Sequence, residues 1–130
     1  MDQSIQPDAF IKVCPSRDIV ARLSDKWSML VIALLNRQEE PVRFGQLKAQ
    51  IEGISQKVLT QTLRKLERDG LVKRQVYNEM PLRVEYHLTD MAHDFVPIVQ
   101  DFKKWAETHM HEILEQNKRY DDHNTDRKQF

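Results

Sequence analysis

The side chains best suited to do chemistry lie in one stretch, Gly53 to Arg74. Stepping at roughly 100° per residue, Lys57, Thr60, Gln61, Arg64 and Arg68 gather on one side, while Val58, Leu59, Thr62, Leu63 and Leu66 gather on the other. Thr60 and Gln61 can donate and accept hydrogen bonds at base edges. The three cations beside them can neutralise phosphates, which is the composition of a helix that reads duplex DNA. The same pattern describes an ordinary solvated face of a mixed-charge helix, so two readings stand. Both ends of the stretch are marked. Ser55 can cap the start with its hydroxyl, and Gly70, after Glu67-Arg68-Asp69, supplies the left-handed residue that often ends a helix, which predicts a helix over 55–69.

Other chemistry finds less support. His87, His93, His109, His111 and His123 include no i, i+4 pair, so no metal site is expected. Three glycines allow no phosphate-cradling loop, and no nucleophile comes with an evident base. The chain therefore reads as a non-enzyme without a cofactor. Trp27, Phe44, Phe95, Phe102 and Trp105 could line a ligand pocket, but core and dimer packing is the simpler use of such residues. Cys14 has two readings: a buried cysteine, or a thiol at a helix N-terminus whose lowered pKa makes it reactive.

The elements that must position these residues follow from composition and order. With 130 residues, 40% hydrophobic and 31% charged, and only three glycines and five prolines, the chain fits one mostly helical domain. No run is long enough to span a membrane, and the N-terminus lacks a signal peptide's basic start and apolar core, so a cytoplasmic protein is expected. One cysteine excludes an internal disulfide framework. The net charge is zero, yet charge is segregated. From Arg43 to Arg83 there are nine Lys or Arg against four acids, a net of +5, and the remainder holds 11 against 16.

Residues 1–13 show no sustained period and read as an arm. Cys14-Pro15 opens a first helix with Ile19, Val20 and Leu23 as its apolar stripe. Ser24-Asp25 breaks and caps it into a second, apolar nearly all round from Lys26 to Leu35, the central core helix. A loop over 38–42 precedes a short third helix with Phe44, Leu47 and Ile51 at helical spacing. Only Glu52-Gly53-Ile54 separates that helix from the one carrying the polar face, so the pair is a helix-turn-helix candidate. Strand character over 71–77, a turn over 78–82 and alternation over 83–88 make a hairpin behind it, completing the order of a winged helix. Thr89-Asp90 caps a last helix over about 89–114, in which Pro97 is a potential kink, and 115–130 reads as a frayed helix end and disordered tail. The fold class expected is mainly α with a small β-hairpin: a winged helix-turn-helix domain over 14–114 with N- and C-terminal dimerisation helices.

The chain resembles the HxlR-type family of winged helix-turn-helix transcriptional regulators. Cys14-Pro15, Lys26-Trp27, Arg43-Phe44-Gly45-Gln46-Leu47, Gly53-Ile54-Ser55, Val58-Leu59-Thr60, Leu63, Leu66-Glu67-Arg68-Asp69-Gly70-Leu71-Val72, Pro81, Arg83-Val84-Glu85-Tyr86 and Leu88-Thr89 carry the resemblance across about residues 14–106. Leu82 stands where a second proline is common, and Ser24-Asp25 and Ala92 stand where glycines are common. The resemblance implies a bacterial-type regulator, a homodimer on a roughly palindromic operator, with the fourth helix in the major groove and the wing beside it. The DNA-contacting set is then Arg43, Gln46, Ser55, Gln56, Lys57, Thr60, Gln61, Arg64, Arg68, Arg74 and Arg83. The dimer set is Phe95, Ile98, Val99, Phe102, Trp105, Met110 and Ile113. Partners are double-stranded DNA, a second copy and a small-molecule or oxidant effector, with no membrane. Some family members use a cysteine at the position of Cys14 as a sensor, which leaves both readings of that thiol open. The alternative function is a winged-helix module that binds another protein.

Overall fold

The computed structural model describes residues 6–124. Its elements run α1 (Pro15–Leu23), α2 (Lys26–Arg37), β1 (Val42–Arg43), α3 (Phe44–Gln50), α4 (Gln56–Arg68), β2 (Val72–Tyr77), β3 (Arg83–Leu88) and α5 (Asp90–His123). By internal packing the chain divides at Val96/Pro97 into two units.

The first unit is built around α2, which packs on α4 and β3. Val31, Ile32, Leu34 and Leu35 of α2 are buried, as are Leu47, Leu59, Leu63, Leu66, Leu71 and Val72 from the elements around it. Burying each such side chain is worth about 1.5–3 kcal/mol. The polar groups drawn into this core are satisfied locally. Ser28 donates its hydroxyl to Asp25 at 2.7 Å and Thr62 donates to the Val58 carbonyl at 2.8 Å. As expected, α1 has Pro15 in its first turn and Asp25 caps α2, accepting the Ser28 N–H at 3.0 Å. The stripe of α1, expected to help dimerisation, lies outside this core: Ile19 and Val20 are exposed and no residue of α1 is buried.

The sheet has three strands, not the two of a simple hairpin. Val42 and Arg43, read from sequence as loop and helix start, pair antiparallel with Tyr86 and Glu85, giving the order β1-β3-β2. Two residues are too short for an alternation to register in sequence. The β2–β3 pairing runs from Val72↔Leu88 to Tyr77↔Arg83, so the wing's strands end where the sequence placed them. Thr89 ties the wing to the following helix: its hydroxyl donates to the Gly70 carbonyl at 2.7 Å and accepts the Ala92 N–H at 3.3 Å.

The second unit begins at Pro97 and, among the described residues, is helical. Helix α5 passes Leu114 and continues through His123, so the stretch 115–123, expected as a frayed end and tail, is helix; residues 125–130 lie outside the described residues. Pairs at i, i+4, Lys103 with Glu107 and Glu115 with Arg119, support it. Ile98, Phe102, Trp105, Met110 and Ile113 are exposed, with Trp105 resting on His109 at 4.8 Å between ring centroids. Of the remaining residues expected at a dimer interface, Phe95 is half-buried and Val99 is buried within the chain.

Candidate nucleic-acid interface

The turn between α3 and α4 sets the angle at which α4 is presented. The Ile51 N–H bonds back to the Leu47 carbonyl at 3.0 Å, the Ile54 N–H to the Ile51 carbonyl at 3.3 Å, and both isoleucines are buried. Gly53 between them has φ +85°, a left-handed conformation that costs other residues and suits glycine. Ser55 then caps α4, its hydroxyl accepting the Val58 N–H at 3.1 Å, and Gly70 closes the helix at φ +81°.

The cations around α4 fall into two groups. Arg22 of α1 bridges Asp69 at 2.9 Å, and Lys65 bridges Asp25, the residue that caps α2. These pairs clamp α4 to the helices behind it. Burial pushes the Asp25 carboxyl up, but hydrogen bonds from Lys65 and Ser28 outweigh that and hold its pKa below the usual carboxylate range. Lys57, Gln61, Arg64 and Arg68 are different: all four are exposed, on the side away from buried Leu59, Leu63 and Leu66. None of them has a side-chain hydrogen bond or ion pair among the described residues. Thr60 is half-buried between them and Gln56 is exposed at the first turn.

The wing adds one cation to this side. The pleat puts Val72, Arg74 and Val76 on the same face as their partners Leu88, Tyr86 and Val84. Arg74 and Tyr86 therefore look the same way, and both line a cleft of about 530 Å³ together with Gln56, Thr60 and Arg64 of α4. Arg83 belongs to the opposite face of the pleat. It stacks on Tyr77 at 3.8 Å from the ring centroid and pairs with Glu79 at 3.1 Å and Glu85 at 3.4 Å, so it is not brought to the α4 side. Gln46 is occupied as well: its Oε1 accepts the Arg43 N–H at 3.0 Å and fixes the start of α3, while the Arg43 side chain is exposed.

Cys14 is buried at the N-terminal side of α1. The Asp8 N–H donates to its sulfur at 3.3 Å and the Ser16 hydroxyl lies 3.1 Å away, and these contacts hold the thiol pKa below its ordinary value. The backbone of Ser16 at the start of α1 lowers it as well, the helix N-terminal cause that the sequence offered. Among the described residues no cluster of His, Cys, Asp and Glu could hold a metal, and no helix is long and apolar enough to cross a membrane.

A helix-turn-helix with its apolar side buried, a three-stranded wing and an outward polar, cationic helix face define a winged helix-turn-helix protein. The chain belongs to the HxlR-like helix-turn-helix family, whose pattern matches residues 22–114. An uncharacterized HTH-type transcriptional regulator of Halalkalibacterium halodurans is 45% identical over 84 residues, covering 65% of this chain and 74% of that protein. The solved structure of ytfH from Salmonella typhimurium superposes with a TM-score of 0.80 at 30% identity, covering 87% of this chain and 99% of the other. That of the redox regulator HypR in its oxidized form superposes with a TM-score of 0.65 at 34% identity, covering 73% and 96%. The fold class and family expected from sequence both hold, and the family is one of transcriptional regulators.

Proposed function

We propose that this protein is a sequence-specific DNA-binding regulator that acts as a homodimer on a roughly palindromic operator. The observation that carries the reading is the sorting of cations. Lys65 is held by Asp25 and Arg22 by Asp69 at the end of α4, while Lys57, Arg64 and Arg68 stand exposed on its outer face without ion-pair partners among the described residues. A helix placed in the major groove needs that division: clamps on its inner side and free donors on its outer one. In this reading Lys57, Gln61 and Arg64 reach base edges, with Thr60, Ser55 and Gln56 at the entry of the helix. Arg43, Arg68 and Arg74 neutralise phosphates. Gln46 and Arg83 act through the backbone start of α3 and the form of the wing. The second copy docks through Ile98, Phe102, Trp105, Met110 and Ile113, and the two α4 helices then read half-sites about 34 Å apart.

Cys14 supplies a redox input to this regulator. Its lowered pKa and the solved likeness to a redox regulator support that role, and with no second cysteine in the chain any disulfide would join two subunits or a small thiol.

Selection of bound duplexes from a random pool, followed by titration of the selected site across salt concentrations, tests the proposal. Enrichment of an inverted repeat is expected, with log K falling linearly against log salt at a slope set by the phosphates contacted. A pool that yields no common sequence, or binding without salt dependence, would overturn it.

A further inference from the structure

The cleft between α4 and the wing has a lining that phosphate contact alone does not require. Leu63 and Tyr86 are buried at its base, and Phe44 and Val84 are half-buried beside them. Arg64 and Arg74 stand exposed at its mouth. It is an open groove of about 530 Å³ whose lining mixes apolar and polar side chains, large enough for a small ring that stays partly in water. Glu67 also lines the cleft, yet neither arginine has an ion pair among the described residues. The two guanidinium groups thus have donor capacity to spare beside a wall of aromatic and aliphatic carbon.

We propose that this cleft binds a small flat aromatic carboxylate, its ring against Phe44, Leu63, Val84 and Tyr86 and its carboxylate on Arg64 and Arg74. A guanidinium takes a carboxylate in bidentate fashion, and the ring covers the apolar base that a sugar-phosphate chain would leave wet. The apolar base, not a charge, sets the ring-inward orientation; Glu67, exposed like the two arginines, repels the anion and weakens its binding. Because Arg64 belongs to the face assigned to DNA, the acid and the operator exclude one another, and the acid releases the regulator by simple competition. That consequence rests on the DNA-binding reading; the site itself does not.

The experiment is an NMR amide-shift titration of the full chain with 2-naphthoate and with its neutral counterpart 2-naphthamide. Saturable shifts at Phe44, Leu63, Arg64 and Tyr86 are expected, with the amide weaker by about tenfold or more because it lacks the charge-assisted bonds. Val84→Phe, which fills the cleft, should abolish the shifts, and Glu67→Gln should tighten binding roughly threefold. In operator titrations naphthoate should weaken wild-type binding, and operator binding by Val84→Phe should lose that sensitivity. Equal binding of acid and amide, shifts confined to the stripe of Ile98, Phe102 and Trp105, or unshifted cleft residues would overturn the site even if the duplex still binds. Failure to bind any duplex would instead overturn the DNA reading, with the titration still deciding the cleft.

Discussion

Helix α4 and the part of α5 beyond Pro97 are both amphipathic, and they leave opposite faces in water. On α4 the apolar side is buried, with Leu59 and Leu66 at 0% exposure, and the cations are outside. On α5 the exposed face is apolar, with Phe102 at 61% and Trp105 at 57%. A cationic face in water is already in a low-energy state, so its unpaired charges cost the monomer little and remain available to a polyanion. An aromatic stripe in water is not, and its contiguity marks a surface meant for association. One helix buries its apolar side within a single chain, and the other leaves apolar side chains exposed, where the proposed second copy would cover them.

Breaking the α5 side of this comparison should have the largest effect. Replacing Phe102 and Trp105 together by Asp removes roughly 3–6 kcal/mol of apolar burial from the proposed dimer, or about two to four orders of magnitude in its dissociation constant. Sedimentation at micromolar concentration should show a dimer for the wild type and a monomer for the variant. A wild-type monomer, or full operator binding by the variant, contradicts the assignment.

On the α4 side the expected effects are smaller and separable. Arg64→Ala and Gln61→Ala should each relax sequence preference by about 1–3 kcal/mol per lost bidentate contact. Arg68→Ala should weaken all sequences alike and reduce the salt slope by about one. Binding measured on matched and mismatched duplexes checks this, and unchanged discrimination in both of the first two variants sinks the division of roles.

The clamp behind α4 sharpens the comparison further. Asp25→Asn keeps a capping side chain but removes the pair with Lys65, at about 0.2–1 kcal/mol for so exposed a pair, and Asp25→Ala should cost about 1 kcal/mol more through the lost cap. Because the folded pKa of Asp25 is lowered, its contribution is fully present above the ordinary carboxylate value of about 3.9 and is lost as pH falls below that through the folded value. Denaturant melts should show the gap between wild type and Asp25→Asn closing only in that acid range. A gap independent of pH would remove the carboxylate pair as its cause.

The smallest expected effect is at Cys14, where the rate of alkylation should rise with pH to a midpoint below the free-thiol value of about 8.5. A midpoint at or above that value, or a Cys14→Ser protein that responds to oxidant like the wild type, makes the residue structural.

The order of elements was legible in the sequence because each one carries its own local signal. Pro15 and Asp25 mark helix starts, Ser55 and Gly70 bracket α4, and Val84, Tyr86 and Leu88 alternate along β3. The polar side of α4 was legible for the same reason, since helical periodicity fixes which side chains share a face before anything packs on them. What tertiary structure decided was which charges remain free. Lys65 and Arg64 are neighbours with similar chemistry, but Lys65 meets Asp25 from forty residues away and Arg64 meets no partner among the described residues. Arg74 and Arg83 both lie on the wing, and only the pairing register sends one to the α4 side and the other to Tyr77, Glu79 and Glu85. The two-residue strand β1 and the cleft that Arg74 shares with Arg64 depend in the same way on residues distant in sequence. Periodicity is a property of the local chain, whereas an ion pair, a strand partner or a cleft exists only once chain closure has brought its parts together.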